Sequence, residues 1–275
     1  VNAPSPLVRI LVHGGLFLFT VAALYPVAWV ISMALSPSQT FASGVIPVPS
    51  AVDPGNFLHV TGGLFWRQAL NSVVVSVGTA LTGLCLSTTA AYALSRFRFP
   101  GREQGLALFL ATQMFPQVVL AIPLYLLLDA LHLLDSLLGL ILVYSATSVP
   151  FSTFTLKGWF DGLPKDLEEA AMLDGATRFQ TFVWILLPLA RPALAVTFLF
   201  SFMQAWNEFA LANTLLSDPR SFTLPIVLQH YVSDYGTEWG HFAAGAILVS
   251  LPVMGLFFAL QKQFVEGLTA GAVKG

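Results

Sequence analysis

The residues able to do chemistry are few and crowded. Lys157, Asp161, Lys165, Asp166, Glu168, Glu169, Asp174, Arg178 and Arg191 fall between two long apolar runs, in a chain that is 56% hydrophobic and 9% charged. The sequence contains no HExxH, no GxSxG and no Walker-type glycine loop with its Lys and Ser/Thr. It therefore offers no metallohydrolase, serine-hydrolase or nucleotide site of those kinds. Cys85 is the only cysteine and lies in an apolar run, so neither a disulfide framework nor a Cys-based metal site is available. His13, His59, His132, His230 and His241 are scattered without ligand spacing. One carboxylate, Glu208, falls deep in an apolar run. An ionisable group in lipid is expensive and by default functional.

The elements that must position these groups can be read locally. Residues 164–188 spell a helix, a glycine break and a second helix, held outside the bilayer. Pro164 suits a first helical position, where a missing N–H costs nothing. Asp166, Glu168 and Glu169 then lie near the positive end of the helix dipole. Leu167, Ala170, Ala171 and Asp174 follow at helical spacing, so two alanines are expected on a face with a leucine, where another surface can approach closely. Gly175 suits the left-handed residue that ends a helix. Phe179, Phe182, Val183 and Leu186 then repeat at helical spacing until Pro188.

A soluble domain carries roughly a quarter charged residues, so this composition points to membrane insertion. The apolar runs predict six spans, at about residues 10–35, 70–94, 106–128, 137–156, 192–216 and 242–260, in a single transmembrane domain. The first is too long for a signal-peptide core and is expected to be retained. Residues 36–66, rich in Pro, Gly, Ser and Asn, are expected to form an irregular loop. The second span carries Ser72, Ser76, Gly78, Thr79, Thr82, Gly83, Ser87, Thr88 and Thr89. Such residues favour close helix packing, with pore lining as the sharper alternative. Pro116 and Pro123 are expected inside the third span, tolerated where neighbours satisfy the freed carbonyls.

Six spans put both termini on one side. Arg9, Arg96, Arg98, Arg102, Lys157, Lys165, Arg178, Arg191, Lys262 and Lys274 fall on that side, and only Arg67 and Arg220 fall opposite. The positive-inside rule places the termini and residues 157–191 in the cytoplasm. Trp66, Trp159 and Trp239 sit near span ends, as an interfacial aromatic belt requires.

Glu169-Ala170-Ala171, three residues, Gly175, nine residues, then Ile185-x-Leu187-Pro188 resembles the EAA signature of ABC-importer permeases. The resemblance continues through Trp206-Asn207-Glu208-Phe209 and the tail from Gly267 to Gly275. Over nearly its whole length the chain resembles the carbohydrate-importer permeases of the maltose-transporter (MalG-like) family. That implies an all-α polytopic membrane protein of six transmembrane helices, with the type I ABC importer permease fold and cytoplasmic EAA coupling helices. It implies three partners: a second permease subunit (MalF-like), an ATPase subunit dimer holding ATP and Mg, and an extracytoplasmic substrate-binding protein. No cofactor is expected on this chain, and the setting is a bacterial or archaeal cytoplasmic membrane. Glu169, Ala170, Ala171, Asp174, Gly175, Ile185, Leu187 and Pro188 would form the ATPase-coupling segment. Glu169 would pair with a basic residue of the ATPase, and the tail would reach into its dimer interface.

Gln204, Asn207 and Glu208, beside Trp206, are candidates for the substrate path. The alternative is that Glu208 pairs with a neighbouring donor and holds helices together. The segment 217–240, with Asp218, Asp234, Glu238, Phe222, Tyr231, Tyr235 and Trp239, would receive the binding protein or be an ordinary polar loop. The substrate expected from the resemblance is a sugar of the maltose, maltodextrin or trehalose type, with glycerol phosphate as the non-sugar alternative. A stand-alone secondary transporter would favour midplane coupling residues and an internal repeat, and the sequence offers only Glu208.

Overall fold

The protein is described from a computed structural model. It covers residues 6–41, 46–49, 51–233 and 236–272, with side-chain surroundings described as far as Gln263. The chain runs α1 (Pro6–Ala34), α2 (Gly55–Val60), α3 (Phe65–Arg96), α4 (Arg102–Thr112), α5 (Gln117–Ala130), α6 (Leu137–Asp161), α7 (Asp166–Leu173), α8 (Arg178–Thr181), a π-helical turn (Phe182–Leu186), α9 (Leu187–Leu189), α10 (Arg191–Trp206), α11 (Ala210–Leu215), α12 (Leu224–Gln229), the strands β1 (Val232–Ser233) and β2 (Gly236–Thr237), and α13 (Trp239–Ala272). The two strands form a small antiparallel hairpin.

Among the described residues, four stretches are long and apolar enough to cross a membrane: Leu7–Ala34, Phe65–Arg96, Leu137–Asp161 and Trp239–Gln263. Two more reach that length only across a bend, α4 with α5 at 101° and Arg178–Leu189 with α10 at 76°. Six is reached only if each bent pair counts as one span.

The expected third span, 106–128, thus contains a sharp break. Pro116 has no N–H to give and its ring crowds the carbonyl one turn back. The helix winds down through Gln113 and restarts at Gln117, with Pro116 extended at ψ 129°. Pro123, in contrast, stays inside α5. The expected fifth span, 192–216, is also interrupted: α10 stops at Trp206 and α11 starts at Ala210.

The chain divides into two compact units. One comprises Val1–Trp66 with Val227–Leu251. Here α1 exposes nearly all of its apolar surface from Leu7 to Val27, as suits a helix bathed in lipid. The segment expected to be irregular contains the short helix α2. Asn56 at the start of α2 donates to the carbonyls of Ala34 and Ser36 at 3.0 and 2.8 Å. Its own carbonyl accepts from Gln39 at 2.6 Å. Gln39 in turn accepts from Trp239 N (3.0 Å) through its carbonyl and from His241 N (3.1 Å) through its side chain. The buried Asn56 and the half-buried Gln39 thus tie the first long loop to the head of α13. His59 stacks on His241 at 4.0 Å.

The second unit comprises Arg67–Ile226 with Pro252–Gly275. Its apolar side chains form separate clusters. One joins Val75, Leu128, Leu140, Tyr144, Ala205, Leu211, Leu215 and Ile226. Another joins Ala91, Leu156, Phe160, Phe182, Leu186, Ala190 and Ala193. Between these positions along α3 and α6 lie buried hydroxyls, including Ser76, Thr79, Ser87, Ser148, Ser152 and Thr153. A Cβ on Gly78 would lie 2.7 Å from Ile141, and one on Gly83 would lie 2.8 Å from the Ser148 hydroxyl. Close helix packing, rather than pore lining, accounts for the small residues at these positions.

Candidate functional site: a helical hairpin and a polar helix break

The hairpin of α7 and α8 is specified residue by residue. Lys165 starts α7: its carbonyl accepts from Glu168 N and Glu169 N at 2.9 and 3.1 Å. Pro164 thus lies one residue before the cap, not at the first helical position as expected. Asp166, Glu168 and Glu169 do fill the first turn, where negative charge is favoured. At the other end Asp174 caps the helix and Gly175 takes φ +87°. Ala176 N donates to the Ala171 carbonyl at 3.0 Å and Gly175 N to the Met172 carbonyl at 3.1 Å. These are the two bonds of a Schellman motif, which a left-handed glycine completes. Thr177 then opens α8 with a reciprocal capping box to Gln180.

After α8 the helix widens into the π turn before Pro188. A proline ring crowds the carbonyl four residues back, and a wider turn relieves that contact. Phe182 and Leu186 of this turn are buried, while Trp184 is 75% exposed. Ile185 and Leu187 are half-buried and Pro188 is exposed.

The hairpin is held against α3 and the end of α6. Arg96, the last residue of α3, forms an ion pair with Glu168, with both side chains largely buried. Its guanidinium also donates to the Leu163 carbonyl at 3.2 Å. Tyr92 donates to Glu168 at 3.4 Å, and its ring lies 4.6 Å from Phe182. Ser95 donates to Asp161 at 2.6 Å, and Asp161 pairs with Lys157 at 2.5 Å. The Arg178 guanidinium sits 5.4 Å above the Phe97 ring. A cleft of about 150 Å³ opens here, lined in part by Arg96, Lys165, Glu169 and Arg178.

The outward surface of the hairpin carries Ala170 and Asp174, both exposed, while Glu169 is exposed at the rim of the cleft. Leu173 and Phe179 are 89% and 74% exposed. The two alanines do not share a face as expected: Ala171 is buried and Ala170 points out, because adjacent helical residues are about 100° apart. Glu169 makes no ion pair among the described residues.

The second candidate group divides. Glu208 accepts from the Tyr144 hydroxyl at 2.6 Å and from Leu211 N and Ala212 N at 2.8 and 3.0 Å. Its carboxylate restarts the helix as α11 and fastens it to α6. Gln204 and Asn207 are instead exposed. Gln204 donates to the Thr147 hydroxyl at 3.5 Å and Asn207 to the Met203 carbonyl at 2.9 Å.

A helical chain with a charged hairpin between apolar helices, and with a polar break inside one of them, has the build of a transport subunit. The family described as "binding-protein-dependent transport system inner membrane component" matches residues 65–269. This chain belongs to that family. It is 38% identical over 261 residues to the galactooligosaccharides transport system permease protein GanQ of Bacillus subtilis, covering 93% of this chain and 92% of that one. It is 36% identical over 304 residues to the maltose/maltodextrin transport system permease protein MalG of Salmonella typhimurium, covering 100% and 99%. Among solved structures, a bacterial ABC transporter involved in import of the acidic polysaccharide alginate matches with TM-score 0.79 and 26% identity, covering 96% of this chain and 100% of that one. The fold is that of a type I ABC importer permease, a multi-pass inner-membrane transport subunit.

For this permease, sequence reasoning missed Tyr92 and the pairing of Arg96 with Glu168. Arg96 counted only among the basic residues on the side of the termini, and nothing local joined it to a carboxylate 72 residues away. Asp234 and Tyr235 lie outside the described residues, as do the side chains of the tail from Gly267.

Proposed function

We propose that this chain is the transmembrane subunit of a binding-protein-dependent ABC importer that carries a sugar across the cytoplasmic membrane, powered by a separate ATPase dimer. The observation that carries this reading is the hairpin. Its turn is fixed by Gly175 and two caps, its inner side is buried against α3, and its outer side offers exposed Leu173 and Phe179, with Glu169, which makes no ion pair among the described residues, at the rim of the cleft. A rigid, partly apolar knob rimmed by charge suits insertion into a cleft of another protein. The ATPase dimer, holding ATP and Mg, would close on it, and Glu169 would meet a basic residue there. Arg96–Glu168 would pass the motion to α3, and Ser95–Asp161 would pass it to α6. This is rigid-body coupling through an interface.

A sugar is favoured because the relatives matched above are named for galactooligosaccharides and for maltose and maltodextrin. A third, 36% identical over 256 residues, is named for trehalose in Mycobacterium tuberculosis. A second permease subunit completes the path, and an extracytoplasmic binding protein delivers the sugar. The distribution of Lys and Arg supports cytoplasmic termini and a cytoplasmic hairpin.

The experiment is ATP hydrolysis by the complex reconstituted in liposomes with its binding protein and a sugar panel. Stimulation that needs both binding protein and one sugar is the expected result. Stimulation by glycerol phosphate alone would move the chain to a non-sugar importer. Sugar uptake without any ATPase subunit would remove the ABC reading.

A further inference from the structure

The second unit carries an exposed polar and aromatic face that the coupling hairpin does not use. Gln113, at the end of α4, donates to the Thr147 carbonyl of α6 at 3.1 Å. Gln204 of α10 donates to the Thr147 hydroxyl. One turn along each helix, Phe151 and Phe200 meet edge to face at 6.0 Å. These rings are 49% and 54% exposed. Asn207 follows Gln204 at the end of α10. Helices α6 and α10 therefore meet along one polar rung and one aromatic rung, with the α4 break beside them.

Depth argues against lipid on this face. Gln113 lies about 16 Å along α4 from Arg102, and Gln204 about 20 Å along α10 from Arg191, at 1.5 Å per residue. Both fall near the middle of a hydrocarbon layer about 30 Å thick. The side-chain carbonyls of Gln113, Gln204 and Asn207 have no partner among the described residues. Three unpaired amide carbonyls in lipid would be costly. Residues 104–156 and 192–217 contain no Lys or Arg, and the carboxylate of Glu208 is already filled by three donors. The face offers neutral donors and acceptors beside aromatic rings, and no cation for an anionic ligand.

We infer that Gln113, Thr147, Phe151, Phe200, Gln204 and Asn207 form a subsite on this chain for one neutral pyranose ring of the transported sugar. This rests on the sugar-importer reading above. The amides bond to the sugar hydroxyls as donors and acceptors. The apolar C–H face of the ring lies against Phe151 and Phe200. Glu208 takes no part.

The test uses the whole complex in liposomes, with maltotriose, trehalose and diacetylchitobiose as probes. The sugar that the wild-type complex takes up is carried forward. Gln204→Leu and Phe200→Ala are expected to lower its uptake about tenfold each, the effect of losing one well-placed contact. Phe200→Tyr is expected to keep most of it. All are purified with the second permease to show assembly. A second readout does not depend on turnover. In a Cys85→Ala background, maleimide labelling of Phe200→Cys is expected to slow several-fold when the sugar is bound.

Uptake unchanged in both variants, or labelling indifferent to a sugar the complex carries, overturns the subsite and leaves the importer reading intact. Variants that fail to assemble with the second permease make this face a subunit interface and also overturn it. A wild-type complex that carries glycerol phosphate and none of the neutral sugars overturns the sugar reading, and the subsite with it.

Discussion

Nothing lies within 4 Å of where a Cβ on Gly175 would sit, yet its φ is +87°. The demand is on the backbone, not on space. Gly175→Ala is expected to cost about 1 kcal/mol through the left-handed conformation alone, seen as a small fall in thermal stability with transport largely kept. Gly175→Pro cannot take that φ and removes the N–H that bonds to Met172. Its spans should still insert, and co-purified ATPase or coupled transport should be lost; wild-type transport would remove the hairpin from the mechanism. Glu208 makes the opposite case. Glu208→Leu strands the Tyr144 hydroxyl and two backbone N–H groups, each worth about 1–3 kcal/mol when buried and unpaired. The expected outcome is a large drop in melting temperature of the purified permease, with no change in which sugar is preferred. A changed preference with unchanged stability would make it a substrate ligand after all. Gly175 was legible in the sequence because its reason is local. The partner of Glu208 was not, because Tyr144 is 64 residues away.

At the scale of elements, the pair of Arg96 and Glu168 joins α3 to the hairpin. Both side chains are largely buried, so removing one leaves a charge without its partner. Breaking a buried pair in this way costs about 3–5 kcal/mol. Arg96→Gln and Glu168→Gln are each expected to destabilise the permease and to lower uptake per ATP hydrolysed. The exchange Arg96→Glu with Glu168→Arg should recover part of both, measured as a double-mutant cycle. Equal losses in the singles and the exchange, with no recovery, would contradict a direct pairing. The helices themselves were mostly readable, since four long apolar runs became four long helices. The breaks were not. Pro116 and Pro123 look alike in sequence, and only Pro116 ends a helix. The side chain of Gln113, beside that break, bonds to Thr147 of α6, a contact no local pattern contains. The halt at Trp206 is set the same way, by a carboxylate whose partners lie on α6 and α11.

For the whole molecule, composition alone established the membrane setting, and charge asymmetry gave the expected orientation. The hairpin motif gave the family that the matched relatives bear out. What stayed hidden was how the hairpin is braced, because bracing is made of contacts between distant segments. The outward tip of the hairpin is expected to touch the ATPase in the cytoplasm. Leu173, 89% exposed, is the residue to use. Leu173→Cys, in a Cys85→Ala background and in the assembled complex, should cross-link to a cysteine placed in the cleft of the ATPase subunit. The yield should change when ATP is added. A cross-link to the binding protein, or none at all in a complex that still carries sugar, would contradict the coupling role of the hairpin.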